Sequence, residues 1–360
     1  MMRQVYALLG RKDEPTDAVE EYCRYLGAAL KADEIDLQIR RVPWEIHGWR
    51  EALRGLRLQA IDWRDSWIFV QYTALGWSLR GFPFRFLRVL RMLKSAGAHV
   101  GIVFHDAEPY SSPRLVDRFR ERAQRRVMRA SLALAERAVF TVPLDHVSWF
   151  AKAPDAATFI PVGANLPFPE TPVQRTKRAV LTIGVFSITG GERGARETQI
   201  ILDAVKYATR KIGALRLSVF GRHAEIREAA LRAGLSGFQV DISVEGVVSP
   251  ELVVDRFAGC DLLLFVRGGI SSRRSSAIAG IAAGLPVIAY ANAETAPPIT
   301  EAGVLLTDPQ HPQQLGEALV RILTDQALRE QLAGRSRAAY QSYFSWSSIA
   351  AEYRKLLGVP

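Results

Sequence analysis

Short runs of Val, Ile and Leu alternate along the whole chain with longer stretches whose apolar residues recur every three or four positions. A short apolar run bounded by polar or turn-forming residues predicts a strand, and the longer periodicity predicts a helix. In the first half the runs place strands at 5–9, 36–42, 67–71, 99–104, 138–142 and 158–162, with helices at 17–30, 83–96, 113–135 and 144–151. In the second half strands fall at 179–186, 215–220, 239–244, 261–265, 286–290 and 304–307. Helices there fall at 195–209, 224–233, 250–258, 272–283, 312–323, 326–341 and 347–357. The segment GANLPFPETPVQRTKR between the halves is rich in proline and polar residues and reads as a linker. Strict alternation of strand and helix predicts an α/β protein of two Rossmann-like, doubly wound domains facing across a cleft, over 1–168 and 177–340, with a last helix in 341–360. Ligands of such sheets bind beyond the carboxyl ends of the strands, so the loops after strands are where chemistry is sought.

One of those loops stands out. The stretch RGGISSRRSSAIAGIAAGLPVIAYAN runs from two glycines through a Ser/Arg-rich turn into a small-residue helix. A helix starting near Ser272 would aim unpaired backbone N–H groups at an anion, and Arg273, Arg274 and Ser275 would add guanidinium forks and a hydroxyl. An arginine-bearing surface loop ahead of a buried Ala/Gly helix is the alternative. The loop IGVFSITGGERGARET offers Ser187, Thr189, Gly190, Gly191 and Gly194 for close approach to an anion and Arg193 to pair with it. It has neither the Gly-Lys-Ser/Thr of a Walker A loop nor a Gly-x-Gly-x-x-Gly fingerprint, and a plain strand-to-helix turn also fits. Arg222, in the loop after the strand at 215–220, joins the anion-binding candidates.

Composition narrows the partners. At 360 residues, 48% hydrophobic and 23% charged, the chain is long enough for two folded domains and is not compositionally disordered. The start MMRQVYALLGRKDEP lacks the order of a secretion signal, no apolar run approaches the roughly 20 residues that span a bilayer, and Cys23 and Cys260 lie far apart. A cytoplasmic protein is expected, and no metal site, because the histidines have no partner at ligand spacing. The net charge of +10 favours an anionic partner. Arg80, Arg85, Arg88, Arg91 and Lys94 fall in one stretch without an acid, on a helix pattern whose other face carries Phe86, Val89, Leu90 and Leu93. That helix either lies on an anionic membrane surface, making the protein peripheral to the membrane, or is a core helix with a solvated basic face. Nucleic acid is not expected, since no aromatic stacking motif is interleaved with the cations.

Several pieces in order resemble a family: Ile183-Gly184, Gly191-Glu192-Arg193-Gly194, Leu217-Ser218-Val219-Phe220-Gly221, Val244-Glu245-Gly246-Val247-Val248, Gly259-Cys260-Asp261 and Gly284-Leu285-Pro286-Val287-Ile288. Together with the ending Phe344-Ser345-Trp346-Ser347-Ser348-Ile349-Ala350, and with Ile160-Pro161-Val162-Gly163-Ala164-Asn165 closing the first half, they resemble GT-B glycosyltransferases, in particular the family 4 group. The likeness covers 179–357 well and the first half loosely. It implies a sugar transferred from a nucleotide-diphosphate donor to a glycan or lipid-linked acceptor, with no cofactor and no metal, and favours retention of configuration, while Asp106 as a general base leaves inversion open. It also implies a last helix that crosses back to the first domain. By the same resemblance Arg193 binds donor phosphate, Val247 lies near the base, and His105 faces the transferred sugar, with Asp106 beside it as a second catalytic candidate. Read from the residues alone, a histidine at a strand end is an ordinary core or capped residue; Asp106, Glu108 and Tyr110 beside it make a cluster suited to sugar hydroxyls. Thr16 and Asp17 are acceptor-side candidates or plain helix caps.

The sequence departs from the family at two places. The glutamates that flank the turn before Gly-Leu-Pro-Val in relatives fall at Ser271 and Ala279, and the late glycine loop is replaced by Asn292-Ala293-Glu294-Thr295. An Arg-Arg variant of the family is one reading of this; an inactive nucleotide- or glycan-binding scaffold that keeps the fold is the other.

Overall fold

The structure, a computed structural model, describes residues 2–110, 114–169 and 180–358. The expected helix start at 113, the strand start at 179 and the linker over 170–178 lie outside the described residues. The chain divides into two compact units, Met1–Pro161 with Trp346–Pro360, and Val162–Ser345.

In the first unit all strands pair in parallel, in the order β2-β1-β3-β4-β5-β6. They are β1 (Arg3–Leu9), β2 (Ile35–Arg41), β3 (Trp67–Tyr72), β4 (His99–Phe104), β5 (Arg137–Phe140) and β6 (Ala157–Phe159). Every residue of β3 and β4 after the first is buried, as central strands covered on both faces require. The helices are α1 (Ala18–Leu30), α2 (Trp44–Gln59), α3 (Phe86–Ser95) and α4 (Leu115–Leu132). Asp17 caps α1 by accepting from the N–H groups of Val19 and Glu20. The apolar stripe expected in α3 is fully buried at Phe86, Val89, Leu90 and Leu93.

Two stretches differ from the pattern reading. Helix α2 is absent from it, because Gly48, at φ +71°, interrupts the periodicity that Trp49, Ala52, Leu53 and Leu56 otherwise carry. Conversely, the helix expected over 144–151 is a short 3₁₀ turn at Leu144–His146. There the Glu108 carboxylate takes both the N–H and the hydroxyl of Ser148, and Trp149 turns inward to donate to the Ala107 carbonyl at 2.9 Å. Those tertiary bonds replace the helical ones.

The second unit repeats the design with strand order β12-β11-β10-β7-β8-β9, again all parallel. Its strands are β7 (Thr182–Phe186), β8 (Leu215–Phe220), β9 (Val240–Glu245), β10 (Leu262–Gly269), β11 (Val287–Tyr290) and β12 (Val304–Thr307). Helices α5 (Gly191–Ile212), α6 (Ala224–Gly234), α7 (Pro250–Ala258), α8 (Ser275–Ala282), α9 (Gln313–Thr324) and α10 (Gln326–Ala339) surround them. The early part of the expected linker is not loose: Val162, Ala164 and Leu166 are buried, and Val162 donates its N–H to the Ser272 carbonyl at 3.0 Å. After α10 the chain makes one π turn and enters α11 (Trp346–Leu357), which belongs to the first unit. There Trp346 stacks on Tyr25, and the buried hydroxyls of Tyr22 and Tyr353 bond at 2.9 Å. Among the described residues no helix is long and apolar enough to cross a membrane.

Phe257 on α7 tests how the second core is held. It is fully buried, with the rings of Phe168, Phe186 and Phe220 between 5.1 and 5.8 Å away. Phe257→Ala is expected to cost about 3–5 kcal/mol in urea unfolding followed by far-ultraviolet circular dichroism.

Candidate functional site

In each sheet the strand order reverses once, and the crevice at that reversal is where an open α/β sheet places its ligand. In the second unit the reversal lies between β7 and β10. Strand β7 ends in Ser187, held at φ +63° with its N–H on the Phe220 carbonyl, and the chain then runs through Thr189 and Gly190 into α5. The helix begins four residues earlier than the periodicity suggests, so Gly191 and Arg193 belong to its first turn. The cause is Glu197, a buried carboxylate in the next turns of α5. One of its oxygens accepts the Thr189 N–H at 2.7 Å, and the other accepts the Thr189 hydroxyl at 2.6 Å. Gly194 lies so close beneath this loop that a Cβ would stand 1.7 Å from the Thr189 carbonyl oxygen.

Strand β10 extends past its expected end through Arg267 to Gly269, with an irregular register against β11 between Phe265 and Gly269. Such a bulge re-aims side chains at the rim of a sheet. Arg267 is largely buried, and its Nε has no hydrogen-bond partner among the described residues. Burial pushes its pKa down; Glu197 opposes that shift and the positive charge of Arg222 adds to it. Arg267 is thus desolvated within the fields of Glu197 and Arg222. Arg222 is fixed by the backbone, its N–H meeting the Ser187 hydroxyl at 3.3 Å. Arg193 is exposed, as is Val247 beyond β9. The segment holding Val247 is anchored from behind, where Gly221 donates to the Glu245 and Gly246 carbonyls and Arg256 grips Glu245 with two 2.8 Å bonds.

The Ser/Arg turn differs from its expected form. Helix α8 begins at Ser275, not near Ser272, because Ser271 and Ser272 are buried and the Ser272 carbonyl is occupied by Val162. The Arg274 N–H closes a turn onto Ser271, and the Arg274 guanidinium lies near Gly268. No carboxylate is encoded at 271 or 279, yet one stands beside Ser271. Glu294, from the loop after β11, accepts from the Ser271 hydroxyl at 3.1 Å and from Arg273 Nε at 2.7 Å. Arg273 is therefore engaged in a partly buried ion pair and is not the unneutralised cation that the motif suggests.

In the first unit the reversal lies between β1 and β3, and a cavity of about 350 Å³ opens there. Leu9, Arg11, Asp17, Gln71, Thr73 and Asp106 are among its walls. Gly10 permits it, since a Cβ there would lie 2.2 Å from the Gly76 carbonyl oxygen. Asp17 combines its capping role with a 3.0 Å ion pair to Arg41. Asp106 accepts the Ala74 N–H at 3.0 Å. His105 is fixed behind Gln71. The Gln71 amide nitrogen donates to the Phe69 carbonyl, which turns its Oε1 to His105 Nε2 at 2.8 Å and so assigns the ring proton to Nε2. Burial pulls the His105 pKa down to about 4, against a smaller opposing pull from Asp17, and the Tyr22 ring packs edge-on at 5.0 Å.

The other candidates in that group lie apart from the cavity. Glu108 is spent on Ser148, and the Tyr110 ring pairs with the Arg120 guanidinium at 5.7 Å. Thr16 precedes the cap and is not among the cavity walls. Glu197, Arg267, Glu294 and Gln71 carry geometry that the sequence reading did not assign. Glu197 alone left a trace there: it falls in the stripe Gly194, Glu197, Thr198, Ile201, where a carboxylate interrupts a buried helix face.

Neither a protein-family model nor a curated protein matches the sequence. Solved structures do match it. The HepE protein of Anabaena, solved with UDP and glucose, is similar over 99% of this chain and 100% of its own, with a TM-score of 0.65 at 14% identity. Sucrose-phosphate synthase of Thermosynechococcus elongatus reaches a TM-score of 0.68 at 18% identity, over 99% and 100% of the two chains. A glycosyltransferase of Rickettsia africae reaches 0.65 at 13%, over 99% of each. At such identities the likeness carries the fold, and the fold is that of the GT-B glycosyltransferases: two parallel α/β sheets, each wrapped by helices.

Two outcomes follow from this geometry. The imidazole of His105, followed by NMR, is expected to stay neutral with its proton on Nε2 from pH 7 down to its midpoint near 4. Because the folded-state pKa lies below the ordinary 6.5, the unfolded chain takes the proton first. The stability contribution is intact above 6.5 and is lost as pH falls toward 4, at up to about 1.4 kcal/mol per pH unit. His105→Gln should flatten urea-midpoint curves in that window. In the second unit, Gly194→Val must displace the Thr189 loop, and the double-bonded Thr189 N–H and hydroxyl should lose their hydrogen-exchange protection.

Proposed function

We propose that this protein is a glycosyltransferase that moves a sugar from a nucleotide-diphosphate donor to a glycan or lipid-linked acceptor. The observation that carries the reading is the cationic corner at the sheet reversal of the second unit. Arg267 lies desolvated there with Arg222 adding positive charge, and the uncapped first turn of α5, with Arg193, starts beside the loop that Glu197 holds. A diphosphate brings negative charge to that desolvated guanidinium, and guanidinium forks with helix N–H groups are the donors that suit it. The fold is shared with HepE, a protein solved with UDP and glucose, which favours a uridine nucleotide for the first trials.

Cleavage of the donor leaves charge on the departing phosphate. Arg222, Arg267 and Arg193 stabilise that charge in this reading, so the reaction needs no metal. Thr189, Gly190 and Gly191 shape the approach to the phosphates, Arg274 and Ser275 border it at the start of α8, and Val247 lies toward the base. In the first unit, Asp106 and Asp17 on the wall of the 350 Å³ cavity are the polar groups offered to an acceptor's hydroxyls. Glu294, clamped by Arg273 and Ser271, provides the carboxylate that the resemblance leads one to seek at position 271. Retention of configuration at the sugar is part of the proposal, as is action at an anionic membrane face through the basic helix that includes Arg88 and Arg91.

Calorimetry with UDP, GDP and ADP tests the donor site directly. Arg267→Ala is expected to weaken the preferred nucleotide by about tenfold or more, the loss of one charge-assisted contact of roughly 1.5–3 kcal/mol. Unchanged affinity in Arg267→Ala and in Arg222→Ala would refute the corner as the phosphate site. Donor hydrolysis with and without EDTA should be equal, and NMR of the product should show the donor's anomeric configuration. Tight binding without turnover on any acceptor would assign the scaffold reading instead.

A further inference from the structure

We propose that the groove between α2 and α3 is a binding site for the phosphate of anionic phospholipid headgroups at a membrane surface. The inference rests on the membrane part of the reading above and narrows it to a site half built by α2, outside the basic stretch apparent in the sequence. The groove encloses about 800 Å³, and its walls carry five arginines: Arg50, Arg54 and Arg57 from α2, and Arg88 and Arg91 from α3. The spacing of 50, 54 and 57 puts the first three on one helical face, and 88 and 91 are one turn apart on the other helix. No carboxylate lines the groove.

The acids nearby do not fill it. Glu51 reaches Arg54 only at 3.9 Å with both side chains exposed, Glu45 pairs with Arg11, and Asp62 is exposed beyond the end of α2. Like charges one helical turn apart oppose the helix that bears them. The other cations of the basic stretch turn elsewhere. Arg85 lies over the Trp49 ring at 5.6 Å, and Lys94 reaches the Leu134 carbonyl at 3.5 Å.

The apolar surroundings select the source of the phosphate. Leu53, Ala60, Ile61, Met92 and Ala96 line the same groove, and Ile61 remains 67% exposed. Leu58, one turn after Arg54, is 64% exposed. A soluble phosphate makes no use of exposed aliphatic side chains beside guanidinium groups, whereas a headgroup with its glycerol and acyl region does. A nucleic acid would call for aromatic platforms, and none lines the groove.

The test is co-sedimentation of the full chain with vesicles of phosphatidylcholine alone and with added phosphatidylglycerol. The chain is expected to sediment only with the anionic vesicles and to be released by salt. Arg54→Glu combined with Arg88→Glu should lower the apparent affinity by about tenfold or more, and the exposed Ile61→Ser by severalfold. Arg216→Glu on β8, which is not among the groove-lining residues, should change nothing. A thermal melt establishes that the double variant is folded; if it is not, Ile61→Ser and the salt dependence of the unmodified chain decide. Equal binding to neutral vesicles, or full anionic-vesicle binding in the folded double variant, overturns the proposal. So does thermal stabilisation by inorganic phosphate that requires Arg54 and Arg88 in a chain that binds no vesicles. Sedimentation does not depend on turnover, so loss of nucleotide binding with intact vesicle binding counts against the donor site and not against this groove.

Discussion

The buried carboxylate of Glu197 is the constraint on which the loop between β7 and α5 of the second unit depends. Removing a carboxylate from water costs several kcal/mol unless its oxygens are bonded and its charge is answered. Both oxygens are bonded, to the N–H and the hydroxyl of Thr189, and Arg267 acts on the charge through space. Each partner is thereby fixed. Thr189 is tied to the body of α5, so the loop from β7 cannot drift from the helix start. Gly194 must be a glycine for the loop to lie that low, and the backbone turns into the helix through Gly191 at φ +65°. The amides of the first helical turn are oriented by a bond made two turns further along the same helix.

Charge accounting then separates the two arginine groups at this end of the sheet. Arg273 and Glu294 form a closed pair, 23% and 10% exposed, with Ser271 as a third member. Such a pair positions the Ser271–Arg274 turn and contributes little net field. The group of Arg267 and Arg222 differs: Arg267 is desolvated, its Nε has no hydrogen-bond partner among the described residues, and Arg222 adds positive charge nearby. Field strength grows as water is excluded, which makes the second group the stronger attractor for phosphate. In the proposed function the weight accordingly moves from the Arg-Arg motif to two arginines separated by 45 positions in the chain.

That shift also explains which parts were legible from the residue string. The strand at 99–104 was readable to the residue because a central parallel strand is apolar on both faces and ends abruptly, and 215–220 and 304–307 showed equally sharp bounds. The helix at 250–258 was equally plain, with Ser249 as its cap and Pro250 in its first turn. What failed to show was local structure decided by distant bonds. The 144–151 stretch has helical periodicity, yet Glu108 claims Ser148 from 40 residues away. Ser272 resembles a helix start until Val162 takes its carbonyl. At the site, Asp17 and Asp106 do share a cavity, whereas Glu108 and Tyr110, nearer to His105 in sequence than Asp17 is, are turned away from it. Glu294 replaces in space a residue that is missing in sequence, and no spacing rule anticipates that. The groove arginines of α2 were hidden for a different reason, since Gly48 masked the helix that aligns them.

The chemical identities of the charged groups set how the two units respond to pH. Arginine keeps its proton in desolvated surroundings where a lysine would lose it, so the pull of burial on Arg267 leaves a cation throughout the ordinary range. Donor binding at that corner should therefore be insensitive to protein titration near neutrality. His105 is likewise silent there, because it is already neutral and its Nε2 proton is committed to Gln71. A neutral imidazole with Nδ1 left as an acceptor can orient a hydroxyl or support Gln71, but it cannot carry positive charge into a transition state at pH 7. In the proposed function, proton transfer from an acceptor then falls to a carboxylate of the cavity wall, such as Asp106, or to the departing phosphate itself. The second route removes the need for a protein base, and it suits a corner whose arginines hold the phosphate without surrendering a proton to it.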